Sequence, residues 1–137
     1  MTVSKKVFST GLIFIIAVMP AGLMAQALPE GMLESEKRLY KLSIESELNP
    51  IAINRIHSWI LRLQDSSGTS VHDAQISFDG GMPEHNHGLA TAPSIVHQED
   101  GSYLLQGLRF HMMGYWELVL TINHNDVSDT VLLTLDL

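Results

Sequence analysis

The stretch that decides the fold is YWELVLTINHNDVSDTVLLTLDL, Tyr115–Leu137. In YWELVLTIN the alternation is strict, with Trp116, Leu118, Leu120 and Ile122 on one side. HNDVSD turns the chain, and TVLLTLDL repeats the pattern with Val131, Leu133 and Leu135 on one face. On extended backbone successive side chains point to opposite sides, so a period of two marks a strand with one face in a core.

The same period recurs upstream. RLYKLSIES (Arg38–Ser46) sets Tyr40, Leu42 and Ile44 against Leu39, Lys41 and Ser43. In IAINRIHSWILRLQD (Ile51–Asp65), His57, Trp59, Leu61 and Leu63 fall on one face. SSGTS (Ser66–Ser70) is a turn, and VHDAQISFD (Val71–Asp79) is a further strand. ATAPSIVHQ is a short strand led by a proline, EDGS (Glu99–Ser102) a turn, and YLLQGLRF a strand in which Gly107 marks a bulge. Short strands at this spacing, with polar turns and no long helical pattern, predict an all-β fold. The expectation is an immunoglobulin-like antiparallel β-sandwich of about seven strands over residues 39–137, with Trp59 and Trp116 anchoring the core. Residues 28–38, polar and without period, read as a lead-in segment with room for one helical turn.

The N-terminus reads differently. MTVSKK carries Lys5 and Lys6, the next twenty-one residues have no charge, and Ala25-Gln26-Ala27 is a small-residue cleavage signal. This is the grammar of a secretory signal peptide over residues 1–27, and so of a periplasmic or otherwise exported protein. An uncleaved membrane anchor is the competing reading, against which Ser9, Thr10 and Pro20 count. Beyond it, six lysines and arginines face fifteen acids, a net charge of about −9. That excess argues against nucleic acid or an anionic membrane as partner and suits a domain that meets cations. The chain has no cysteine, so neither a disulfide nor a thiolate ligand is available.

GGMPEHNHG (Gly80–Gly88) sets Met82, His85 and His87 between glycines, with Pro83 stiffening the segment. His85 and His87, two apart, share a face if the segment is extended. Treating the strands either side of Ser66–Ser70 as a hairpin, with residue numbers summing to about 135, puts Phe78 and Asp79 opposite Ile56 and His57. The next hairpin, summing to about 201, puts His111 opposite Ala90. Three segments thus converge at one end: His57, then Met82, His85 and His87, then His111, Met112 and Met113. Imidazole and thioether together select soft copper, chiefly Cu(I). Met82, His85, His87 and Met112 are the expected copper ligands. His57 and His111 can be ligands or structural histidines, and one of Met112 and Met113 is expected to face the core. Glu84 reads as a solvated acid, His72, His97 and His124 as surface residues, and Asp126 and Asp129 as turn acids. No Ser-His-Asp set, phosphate loop or facing carboxylate pair can be placed, so binding is expected rather than catalysis.

GGMPEHNHGLATAP, followed by DGSYLLQGLRFHMMGYWEL, resembles the YtkA-like domain family and, more distantly, the FixH proteins associated with copper-containing respiratory oxidases. The likeness runs from about Asn54 to Leu137 and rests on Met82, Pro83, His85, His87, Gly88, Tyr103, Phe110, Met112, Gly114 and Trp116. Ala90 stands where proline is expected, and His111 and Met113 are additional soft donors. The resemblance implies a small exported domain of immunoglobulin-like fold. The resulting expectation is a monomeric periplasmic copper-binding protein that hands copper to a cuproprotein or respiratory complex, or sequesters it. The alternative is an interaction module that uses Gly80–Gly88 as its partner surface.

Overall fold

The computed structural model describes residues 27–137, and all of the expected signal peptide except Ala27 lies outside the described residues. Nine strands form two antiparallel sheets. They are β1 (Met32–Glu34), β2 (Tyr40–Ser46), β3 (His57–Asp65), β4 (Gln75–Met82), β5 (His87–Gly88), β6 (Ser94–His97), β7 (Tyr103–Leu108), β8 (Tyr115–His124) and β9 (Val127–Asp136). One sheet runs β1-β2-β3-β7-β6 and the other β5-β4-β8-β9. The inward sets are those the alternation picks out. Trp59, Leu61 and Leu63 meet Trp116, Leu118, Leu120 and Ile122 with Val131, Leu133 and Leu135, all of them buried. The two sheets therefore close as a β-sandwich, held without any disulfide.

β8 and β9 pair over their whole length, from Tyr115↔Asp136 to His124↔Val127. Asn125 and Asp126 make the connection at φ 50° and 62°. A two-residue turn with both residues at positive φ matches the strand twist, and Asn and Asp tolerate it. β9 consequently begins at Val127 inside the expected turn. Asp129 belongs to that strand and is buried; it is not a solvated turn acid. Its carboxylate accepts the backbone N–H of Lys37, Leu39 and Thr130 and so ties the lead-in segment to β9. That segment forms strand β1, paired Met32↔Ser43 to Glu34↔Lys41, where a helical turn was expected.

The hairpin across Ser66–Ser70 exists only in its first rungs. Gln64 bridges Ser70, and Val71 N–H bonds to Leu63 C=O. The chain then crosses to the other sheet, because Val71 and Ala74 are drawn into the core. Tyr103, fully buried, holds the crossover: its hydroxyl donates to Val71 C=O at 2.8 Å and accepts Ala74 N–H at 3.1 Å. Phe78 thus faces Trp59 across the sandwich at 6.4 Å between ring centroids. His57 pairs with Leu108 on β7 instead of with β4. The second hairpin pairs in the expected register from Ser94↔Gln106 to His97↔Tyr103 but ends there, so His111 and Ala90 lie outside its strands and are not paired. Gly107, at φ 81°, takes up the bulge opposite the His57/Trp59 step.

Candidate metal site at one end of the sandwich

Gly80–Gly88 is a strand hairpin and not an open loop. Gly81 pairs with Gly88 and Met82 with His87, and a 3-10 turn over Pro83–His85 joins them. Asn86, at φ 51°, supplies the left-handed residue that reverses the chain. The glycines serve close approach instead. A Cβ on Gly81 would lie 2.8 Å from the His87 carbonyl oxygen, and one on Gly80 would lie 2.6 Å from a Leu118 methyl. His85 and His87 are therefore not alternate residues of one extended strand. The turn brings their rings together all the same, 5.8 Å apart and nearly parallel.

A directly paired residue on the neighbouring strand shares a face, so Met82 and His87 lie side by side on the inner surface. The Gly81↔Glu117 pair, on the opposite face, sets the register that brings Trp116 beside Met82, and Trp116↔Leu135 extends the inner row. Met82 is only 1% exposed, and its terminal methyl would meet a Cβ on Gly114 at 3.0 Å. Gly114 sits at φ 118° and is pinned by paired hydrogen bonds with Leu137. The segment before it, Arg109–Gly114, is irregular, and there His111 swings over the row. Its ring is 4.9 Å from that of His87 and 5.5 Å from that of Trp116.

Two nitrogens at this place have no hydrogen-bond partner although they are buried: Nε2 of His87 and Nδ1 of His111. His87 Nδ1 lies 3.0 Å from Gly88 C=O. A carbonyl only accepts, so Nδ1 carries the hydrogen and the neutral ring keeps its lone pair on Nε2. Fixing an imidazole through its far N–H to a carbonyl is how metal-ligating histidines are oriented. Among the described residues no three His, Asp or Glu side chains stand close enough to hold an ion. The nitrogens suffice for two positions, and thioether sulfur must supply the rest. Met82 fits that requirement by chemistry and by place, and Met112 fits it by chemistry.

The expected ligands divide accordingly. Met82, His87 and His111 come together, and His85 stands exposed at the rim. Met112 is anchored through its carbonyl, which accepts the Trp116 indole N–H at 3.1 Å. Neither Met112 nor Met113 faces the core; they are 37% and 65% exposed. Alternation does not apply to them, because this segment is not a strand. His57 lies in the other sheet. It is buried, its Nδ1 bonds to Arg55 C=O, and its ring packs against Trp59 and Phe110. His72 and His97 bond to backbone carbonyls near the Glu99–Ser102 turn, and His124 meets Asp73 at the β8–β9 turn, all outside this site. On the rim, partial burial, the Glu117 carboxylate and a hydrogen bond to it push the Tyr115 phenol above its ordinary value. Trp116 reads from the sequence as a core anchor and as part of the family pattern; its position two residues after the His-Met-Met-Gly segment is the signal for a second role.

The YtkA-like family model matches residues 34–121, more than half of the chain. The chain belongs to the YtkA-like family. The match takes in the GMP-containing hairpin and the segment carrying His111 and Met112, together with all the strands from β2 to β7. No curated protein and no solved structure matches this YtkA-like chain. Among its described residues no helix is long and apolar enough to cross a membrane.

Proposed function

We propose that this exported YtkA-like domain binds one copper ion at the His87/His111 end of its sandwich and serves copper handling. The observation that carries the reading is the pair of buried, unpartnered nitrogens on rings 4.9 Å apart beside a buried methionine. Unpaired buried polar atoms are costly, and a ligand that uses them offsets that cost. His87 Nε2, His111 Nδ1 and the Met82 thioether form the inner set, with Met112 and His85 at the rim. A rim of exchangeable soft donors suits transfer to a cuproprotein or respiratory-complex partner. His57 is assigned a structural role.

The test is competition with a Cu(I) chelator. The double variant His87→Ala/His111→Ala is expected to lose at least about a hundredfold in affinity, while His57→Leu keeps wild-type affinity. Equal binding by the double variant and wild type refutes the assignment. A second reading is favoured by the exposed Met112, Met113 and Tyr115: the same end docks a protein partner without a metal. Failure of wild type to bind copper would leave that one standing.

A further inference from the structure

We propose that Trp116 is part of the binding site and restricts it to singly charged soft ions. This rests on the copper reading and concerns what closes the site. Trp116 contacts both imidazoles, at 6.2 Å from His87 and 5.5 Å from His111. The ring planes stand at 68° and 78° to the indole. A metal ligated by an imidazole lies in the plane of that ring along its lone pair. Planes so steep to the indole let an ion held by both rings meet the indole face, whose quadrupole attracts cations. The indole cannot turn away, since its N–H is committed to Met112 C=O at 3.1 Å and the side chain is fully buried.

Two consequences follow from elementary electrostatics. An apolar wall keeps water off the ion, and the desolvation penalty rises with the square of the charge, so a divalent ion is disfavoured far more than a monovalent one. Zinc also calls for four strong ligands. Among the described residues no three His, Asp or Glu side chains form a metal-holding group, so the exposed His85 at the rim does not complete a zinc set with His87 and His111. Cu(I) or Ag(I), content with two nitrogens, a thioether and a π face, fits the donors present.

The experiment uses Ag(I), which needs no reductant, with tryptophan emission as readout. The chain has two tryptophans, so Trp59→Phe leaves Trp116 as the only emitter. One equivalent of Ag(I) is expected to quench Trp116 emission, in this variant and in wild type, and excess Zn(II) is expected neither to quench nor to displace it. Trp116→Phe is expected to weaken Ag(I) binding about tenfold and to abolish the quench in a protein that still carries Trp59. Calorimetric binding of Ag(I) without change in Trp116 emission, or displacement by Zn(II), overturns the role of Trp116 while leaving the copper reading intact. Binding of neither Ag(I) nor Cu(I) removes both.

Discussion

Met82 is where core packing and the proposed metal binding meet, and Met82→Leu separates them. The side chain is 1% exposed and belongs to the same buried cluster as Trp116 and Phe110. Leucine nearly conserves its volume, and such swaps usually cost less than about 1.5 kcal/mol. The flexible end of the methionine lies against Gly114, so the shorter leucine leaves a small gap there and makes no clash. Met82→Ala instead removes most of a buried side chain, at a cost of about 2–5 kcal/mol. If Met82 is only a filler, Met82→Leu shifts the urea midpoint slightly and copper affinity stays put. If its sulfur is a ligand, Cu(I) affinity falls at least about tenfold, or about 1.4 kcal/mol, whatever the midpoint does. Urea unfolding and chelator competition on wild type and both variants give the two numbers independently. A Met82→Leu protein that holds Cu(I) as tightly as wild type refutes Met82 as a ligand.

Two further predictions follow from contacts already described. Gly81→Ala drives a Cβ into the His87 carbonyl oxygen, so β4 and β5 must part; a loss of about 1–3 kcal/mol in urea unfolding and weaker copper binding are expected. Gly88→Ala, whose Cβ meets its nearest atom at 3.4 Å, is the milder control. At Asp129 burial raises the carboxyl pKa. The nearby Ser35 side chain and hydrogen bonds from the N–H groups of Lys37, Thr130 and Leu39 outweigh it, so the pKa lies below its ordinary value. A depressed pKa contributes stability above the unfolded value and loses it as pH falls through the folded value. Asp129→Asn is therefore expected to cost about 1.5–3 kcal/mol at neutral pH, with the difference from wild type shrinking in strong acid. A pH-independent difference between the two proteins refutes this account.

The strands, their inward faces and the second hairpin were legible because each depends on local alternation and turn chemistry. Trp59, Trp116 and Leu118 are buried where period two puts them, and the Asn-Asp turn reverses the chain where its residues allow. Position along the strands told which segments end together, so the end of the sandwich where histidine and methionine gather was also legible. The layer to which each strand belongs was not. Gln64 and Ser70 start a hairpin that any numbering scheme would continue. Only burial of Val71 and Ala74, with Tyr103 to satisfy the crossing backbone, sends β4 to the other sheet.

That one crossing decided which donor side chains come together. It carried His57 away from the hairpin into the opposite sheet, among Trp59 and Phe110. It also placed His87, Met82 and Trp116 in one row, over which the irregular Arg109–Gly114 segment lays His111. By itself the sequence determined which donor side chains this protein carries and at which end of which strands, since residue type and periodicity are local properties. Which imidazole nitrogens come together buried and unpaired at this end, and which indole lies beside them, depends on contacts between distant segments across two sheets. Only the tertiary structure decides those.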